Sequence, residues 1–359
     1  MNKTDKTDEY YMRRALALAV KGLGGTHPNP MVGCVLVRGG EIVGTGWHRR
    51  FGGPHAEPQA LKRAGKRARG ATAYVTLEPC CYFGKTPPCT EALIKAGVRR
   101  VVAAMTDPNP LVSGKGFARL RRAGITVVRG ALNKEALELN RVFVHWVKKK
   151  RPYVILKAGA SLDGRIETAT RESKWITSPE ARTISRRMRG EVDAILTGVG
   201  TVLADNPRLT AGTGRHPLRV ILDTRLRSPK RAKVFRGPGR ALVATAAKAG
   251  LPHADCLRLP RAKNGGVDLR ALLKALARRG ISSLLVEGGS AVHTSFLEAG
   301  LVDEVHLFLS PRLIGGREAR SFFEGGGFHR LSRTPILTAM EFRRAGRDLL
   351  VTGRITTAR

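Results

Sequence analysis

Acidic residues are scarce in this chain: 28 Asp and Glu stand against 64 Lys and Arg in 359 residues, a formal charge of +36. Aromatics are scarce too, at 5%, which leaves little material for the stacking platforms that hold single-stranded nucleic acids. No run of about 18 uncharged apolar residues occurs, which argues against a membrane span. The opening Met1-Asn2-Lys3-Thr4-Asp5 lacks the apolar stretch of a signal peptide, so the cytoplasm is the expected location. Five cysteines are too few for a disulfide framework, and an odd number suits metal ligands plus spare thiols in a reducing compartment. Cys34 and Cys256 lie in apolar stretches and read as buried, inert thiols.

The basic excess raises the question of a polyanionic partner. Most of it is dispersed in pairs such as Lys62-Arg63, Arg121-Arg122 and Arg278-Arg279, which read as solvated helix faces. Lys148-Lys149-Lys150-Arg151 is the one dense run, and its place between a helix and a strand makes it a linker. Composition and charge spacing therefore argue against nucleic acid as the partner.

The length favours two domains, with three as the alternative. Asp8 is positioned to cap a helix carrying Met12, Ala15, Leu16, Ala19 and Val20 at helical spacing. Val32 to Val37 and Glu41 to Gly46 form a hairpin turned at Gly39-Gly40. A helix over His55 to Lys66, a strand over Ala71 to Leu77 and alternating helices and strands follow, ending in a helix over Lys134 to Val147. This pattern specifies an α/β domain over residues 1–150. A second α/β series over 151–359 has strands at Tyr153 to Ala158, Ala194 to Thr197, Leu218 to Leu222, Ala241 to Ala244 and Ser283 to Val286. Val302 to Leu309, Leu337 to Phe342 and Asp348 to Ile355 close its sheet. There is no internal repeat.

The chemistry concentrates where Pro54-His55-Ala56-Glu57 and Glu78-Pro79-Cys80 to Cys89 supply one imidazole, one acid and well-placed thiols. His55, Cys80 and Cys89 are three N/S ligands for zinc, leaving the fourth tetrahedral position open, as catalytic sites do. Cys80 is preferred to its neighbour Cys81 because it directly follows Glu78-Pro79, in the order of the zinc-deaminase signature. Glu57 is then the proton carrier and not a ligand. Hydroxide generated at the metal would attack an amino-bearing ring carbon. A closed structural zinc is the bland alternative, disfavoured by an isolated His followed by Glu. Eight residues separate Cys80 from Cys89 where nucleic-acid deaminases have two.

Taken together, Thr26-His27-Pro28-Asn29-Pro30, His55-Ala56-Glu57, Thr76-Leu77-Glu78-Pro79-Cys80, Gly84-Lys85-Thr86-Pro87-Pro88-Cys89 and Asp107-Pro108-Asn109-Pro110 resemble the bifunctional deaminase/reductase family of riboflavin biosynthesis. Lys157, Ser161-Leu162-Asp163-Gly164-Arg165, Ser173-Lys174-Trp175-Ile176-Thr177-Ser178, Gly200-Thr201-Val202, Asp205-Asn206-Pro207 and Glu287-Gly288-Gly289 continue the likeness through the second half. The resemblance implies a cytidine-deaminase-like three-layer α/β domain followed by a dihydrofolate-reductase-like α/β domain. It implies zinc-dependent deamination of 2,5-diamino-6-(5-phosphoribosylamino)pyrimidin-4-one, then NADPH reduction of the ribosyl group to ribityl. A small-molecule substrate and a homo-oligomer are expected.

By resemblance Asn29, His48, Tyr82, Lys85 and Thr86 hold the deaminase substrate, with Tyr82 replacing the family's usual His. Gly159, Trp175, Thr201, Asp205, Thr224, Gly289, Ser290, Ala291, Val292, His293, Thr294 and Ser295 correspond to cofactor positions. Lys157, Ser173, Arg189, Leu209 and Glu287 correspond to reductase substrate positions. Arg225 or Arg227, after the strand ending at Leu222, can accommodate a 2′-phosphate. Gly212 stands where members of the family that the chain resembles commonly have an arginine for the substrate phosphate, so a weaker reductase KM is expected unless Arg215 or Arg189 substitutes. The rival readings are a tRNA or other nucleic-acid zinc deaminase, which leaves the second domain unexplained, and a degenerate paralogue with one activity or neither.

Overall fold

The computed structural model describes residues 5–84, 86–212 and 214–356. Its contacts divide it into two compact units, Met1–Lys150 and Arg151–Arg359.

The first unit opens with α1 (Lys6–Ala19). Its N-cap is Asp5, whose carboxylate accepts from the Asp8 amide at 2.7 Å, rather than Asp8 as the sequence suggested. Asp8 is instead buried, with both carboxylate oxygens bound by the Arg100 guanidinium at 2.7 and 2.8 Å and the Tyr74 hydroxyl at 3.2 Å. Cap and ion-pair partner are both satisfied by an Asp, and only the long-range arrival of Arg100 separates them. Burial and Asp8 together push the Tyr74 phenol up to about 12.

β1 (Gly33–Arg38) and β2 (Glu41–Trp47) form the hairpin, followed by α2 (Ala56–Ala64), β3 (Thr72–Val75), α3 (Cys89–Lys95), β4 (Arg100–Ala103), α4 (Lys115–Arg122) and β5 (Thr126–Arg129). The five strands lie in the order β2-β1-β3-β4-β5, antiparallel up to β3 and parallel beyond it. A Cβ on Gly44 or Gly46 would stand 2.3 Å from the Ala60 carbonyl oxygen or 2.2 Å from that of Ala56. The two glycines and the small face Ala56, Ala60, Ala64 thus let α2 lie directly on β2. A Cβ on Gly33, whose register places it on the opposite face from Gly46, would strike the Ala15 carbonyl of α1. Helices therefore cover both faces, making three layers around a core of Met12, Val35, Leu36, Leu93 and Val102.

The helix expected over Lys134 to Val147 is two, α5 (Asn133–Leu139) and α6 (Arg141–Lys149). The break falls at Asn140, whose side chain accepts from the Met31 amide at 2.8 Å and donates to the Met31 carbonyl at 3.0 Å. The helical periodicity runs through this residue, so sequence reading could not see a tertiary clamp that breaks it.

The second unit comprises β6 (Tyr153–Ser161), α7 (Pro179–Gly190), β7 (Ala194–Gly198), α8 (Val199–Asp205), β8 (Leu218–Leu222), β9 (Ala241–Thr245), β10 (Asp255–Arg258), α9 (Leu269–Arg278), β11 (Ser283–Val286), α10 (Ser290–Glu298), β12 (Glu304–Ser310), β13 (Ile336–Ala345) and β14 (Asp348–Thr356). Nine strands form one sheet in the order β10-β9-β8-β7-β11-β6-β12-β14-β13. It is parallel from β10 to β12, with β14 and β13 added antiparallel. Continuous apolar runs such as Leu284-Leu285-Val286 suit central parallel strands covered on both faces. The sequence missed α8, β10 and α10 because the first and last follow Gly-rich turns that read as loops. Ser178 caps α7 with Pro179 at its first position, the Ser178 hydroxyl accepting from the Ala181 amide at 3.2 Å.

Candidate active sites

In the first unit the close packing of α2 on β2 decides where the chemistry sits. His55 is the N-cap of α2 and Glu57 lies in its first turn, while the chain leaving β3 brings Cys80 across to Cys89 at the start of α3. His55 Nδ1 lies 3.3 Å from Cys89 Sγ and 3.6 Å from Cys80 Sγ, and one donor atom from each residue lies within 4.8 Å of the others. Bond lengths of about 2.0–2.1 Å to nitrogen and 2.3 Å to sulfur put N and S about 3.6 Å apart on a tetrahedron around zinc. The three donors therefore fit that ion by both chemistry and spacing. Cys81 is not in the group. The Cys89 amide donates to Cys80 Sγ at 3.3 Å, and the Thr86 hydroxyl lies 3.4 Å from His55 Nε2, which fixes the ring.

The hydrogen bond between the two sulfurs, with His55 adding to it, lowers the Cys80 thiol against the effect of burial, and the same contact together with burial raises that of Cys89. Glu57 is 3% exposed, and burial, with the Cys80 charge second, pushes its carboxyl up to about 7. His48, also buried, has Nδ1 at 3.1 Å from the Pro54 carbonyl and Nε2 at 3.5 Å from Asn29 Nδ2. The Pro54 bond places the proton on Nδ1, so Nε2 accepts from the Asn29 amide. Burial lowers the His48 pKa and keeps this ring neutral.

These residues border a cavity of about 320 Å³ that also meets Tyr82, Thr86, Asp107 and Asn109. Asn29, His48, Tyr82 and Thr86 are thus gathered with His55, Glu57 and Cys80, while Lys85 lies outside the described residues. Asp107 and Asn109 were visible only as part of a motif. The Asp107 carboxyl, raised to about 6 by burial, accepts from the Asn109 amide at 2.8 Å. Glu78, two residues before Cys80, borders the same cavity. Its carboxylate accepts from the amides of Asp107, Gly114 and Phe117 at 3.0–3.2 Å, tying the cysteine loop to the turn that carries Asp107 and Asn109.

In the second unit β6, the turn after β11 and α8 meet α7 around a cavity of about 360 Å³, at the edge where ligands of parallel sheets bind. Lys157, Gly159, Ser173, Trp175, Arg189, Thr201, Asp205, Glu287, Gly289 and His293 all border it. Arg189 grips Glu287 through two bonds of 2.8 Å and reaches the Thr210 carbonyl at 3.2 Å. Burial acts to raise the Glu287 pKa, but Arg189 and then Lys157 outweigh it and the net shift is downward. Enclosure lowers the Lys157 pKa, opposed by Glu287. Trp175 is 62% exposed and stacks beneath Arg182, 4.5 Å from ring centroid to guanidinium carbon.

Thr224 and Leu209 do not border this cavity: the Thr224 carbonyl accepts from Thr245, and Leu209 is buried. Of the run after Gly289, His293 borders it; Ser290 donates to Glu324 at 2.7 Å, Thr294 accepts from the Glu324 amide, and Ser295 bonds back into its own helix. Ala291 and Val292 are not among the bordering residues. Asp163 serves the turn, accepting from the Ser161 hydroxyl and the amides of Ile314 and Gly315. Arg215 is drawn away to Asp193, at 3.4 Å, and borders a different cavity. Arg182 and Arg186, which border this one, were not singled out from sequence, although their spacing with Arg189 put all three toward one side of a helix.

A metal-competent His/Cys/Cys centre beside a buried acid, on one unit, and a Gly-rich cleft at the ends of parallel strands, on the other, define a two-domain enzyme with a hydrolytic and a reductive half. The model of the cytidine and deoxycytidylate deaminase zinc-binding region matches residues 5–105, and that of the RibD C-terminal domain matches 152–351. Riboflavin biosynthesis protein RibD of Escherichia coli K12 is 44% identical over 95% of this chain and 98% of its own, and that of Bacillus amyloliquefaciens 45% over 96% and 95%. The crystal structure of a diaminohydroxyphosphoribosylaminopyrimidine deaminase/5-amino-6-(5-phosphoribosylamino)uracil reductase from Thermotoga maritima superposes with a TM-score of 0.88 at 40% identity, covering 98% of this chain and 99% of that one. The chain belongs to the RibD family, the bifunctional deaminase/reductases of riboflavin biosynthesis. Its fold is a cytidine-deaminase-like domain joined to a RibD reductase domain, and its cofactors are zinc and NADPH.

Proposed function

We propose the following division of labour. Residues 1–150 deaminate 2,5-diamino-6-(5-phosphoribosylamino)pyrimidin-4-one, and residues 151–359 reduce the product to the ribityl compound. The observation that carries the first half is the cluster of His55, Cys80 and Cys89, with His55 and Cys80 bordering one cavity together with Glu57. His55, Cys80 and Cys89 would hold zinc, which would supply a nucleophilic water at neutral pH. Glu57 would take the proton of the attacking water, deliver it to the ring nitrogen and assist the departure of ammonia. Burial disfavours its charged form and so helps it to hold a proton between transfers. His48 and Asn29 orient the pyrimidine as a linked pair with a fixed tautomer, and Tyr82, Thr86 and Lys85 hold the remainder of the substrate.

In the second domain Trp175, Thr201, Asp205, Gly159 and Gly289 line the cofactor side. Lys157, Ser173, Arg189 and Glu287 face the sugar. Hydride transfer is the cofactor's chemistry, and the domain contributes orientation and exclusion of water. The Arg189–Glu287 pair keeps Glu287 ionised beside Lys157, so these side chains enter the reaction with fixed charges.

We place the protein in the cytoplasm, in keeping with the absence, among the described residues, of a helix long and apolar enough to cross a membrane. A homo-oligomer is supported by β13, the last strand of the sheet among the described residues, on which Ile336, Met340 and Phe342 are exposed. The deciding experiment supplies the protein with zinc, the diaminopyrimidine substrate and NADPH, and follows ammonia and nicotinamide absorbance together. Ammonia release without NADPH oxidation sinks the bifunctional reading, and silence in both signals points to a degenerate paralogue.

A further inference from the structure

We propose that Arg186 grips the substrate phosphate in the reductase cavity, doing the work of the arginine that Gly212 lacks. The proposal rests on the reading of this cavity as the reductase site. A sugar phosphate carries close to two negative charges at neutral pH and needs a cation whose own charge is not already spent. Lys157, Arg182, Arg186 and Arg189 are the Lys and Arg residues bordering the cavity. Arg189 is committed to Glu287 through two bonds of 2.8 Å, and Lys157 stands beside the same carboxylate. Arg182 lies over the Trp175 ring and donates to the Thr177 carbonyl at 2.6 Å. Arg186 is exposed at the cavity wall; its side chain touches the Thr183 hydroxyl at 3.5 Å, and no carboxylate among the described residues pairs with it. Arg182 is likewise without a carboxylate partner among the described residues, but the Trp175 ring and the Thr177 carbonyl hold it in place, whereas nothing of that kind holds the Arg186 guanidinium.

Position supports the same assignment. The Gly212 amide donates to the Arg186 carbonyl at 3.4 Å, and a Cβ on Gly212 would lie 3.6 Å from Arg186 Cβ, an ordinary van der Waals contact. Side chains growing from positions 212 and 186 therefore start side by side, and Arg186 is the one of the two that borders the cavity. Arg215, the nearest arginine in sequence, is paired with Asp193 beside another cavity.

The test uses the full chain, NADPH and 5-amino-6-(5-phosphoribosylamino)uracil, with the corresponding unphosphorylated riboside as a second substrate. Loss of one charge-assisted contact predicts that Arg186→Gln raises KM for the phosphorylated substrate by about 10- to 100-fold. KM for NADPH and for the riboside stays unchanged. Adding Gly212→Arg to Arg186→Gln recovers the affinity, which a merely structural role for Arg186 would not allow. An unchanged KM overturns the proposal, as does an equal rise for the riboside or a rise confined to NADPH, which would place Arg186 on the cofactor. If the wild-type chain itself oxidises no NADPH with either substrate, the reductase reading falls and the proposal with it. Wild-type turnover with an indifferent Arg186→Gln sinks the proposal alone.

Discussion

Replacing Glu57 by Gln separates metal binding from proton transfer. The side chain is 3% exposed in the first turn of α2, so an isosteric amide keeps the packing on which the position of His55 depends. The donor set is His55, Cys80 and Cys89, and the Glu57 carboxylate is outside it, so zinc content should remain at one per chain. What disappears is a group able to accept and return a proton. General acid–base catalysis by one positioned side chain contributes about 10²- to 10⁴-fold, and Glu57 serves more than one transfer per turnover. The upper part of that range applies: about 10³- to 10⁴-fold in kcat, or about 4–5 kcal/mol in the barrier. Ammonia release from the diaminopyrimidine measures the effect. NADPH oxidation with the already deaminated uracil provides an internal control, because the second unit does not contain the change. Retention of more than a tenth of the deaminase kcat would refute the proton-carrier role. Loss of zinc with loss of activity would instead make Glu57 part of the metal's support.

Chelation with dipicolinate should abolish ammonia release while leaving NADPH oxidation with the deaminated substrate within about twofold; a parallel loss of both would show that the reductase also depends on the metal. Asp8→Asn removes one partner of a largely buried bidentate pair and strands the Arg100 guanidinium, so urea unfolding should show a loss of about 2–3 kcal/mol, discounted because Arg100 is 28% exposed. A shift below 0.5 kcal/mol would mean that the pair contributes nothing. Burial depresses His293 to about 4 from an ordinary value near 6.5, so the unfolded chain takes up the proton first as pH falls. The second unit should lose stability between about pH 6.5 and 4, by about 3 kcal/mol from this group, and regain it as pH rises. His293→Phe should flatten that part of the pH profile; an unaltered slope would contradict the buried neutral imidazole.

Much of the deaminase centre is legible in the sequence because its parts are local. An N-cap His, an acid two residues later and a cysteine directly after Glu78-Pro79 need only a helix start and a strand end to be recognised. The alternation of strands and helices and the hairpin at Gly39-Gly40 follow from periodicity and turn chemistry in the same way. The reductase cavity is less legible. Its lining comes from β6, the segment before α7, α7 itself, α8 and the turn after β11, and no periodicity links Lys157 to Glu287 or Gly212 to Arg186.

The sequence by itself determined the α/β class, the zinc-competent residue types and, through its motif company, the family. Residue chemistry and short-range spacing suffice for these. Tertiary structure alone decided that Asp8 pairs with Arg100 instead of capping its helix, and that Asn140 breaks a helix to hold Met31. It also decided that Arg189 pairs with Glu287 and Arg215 with Asp193. In each case the same side chain could satisfy several partners, and the choice among them is made by contacts between segments far apart in the chain.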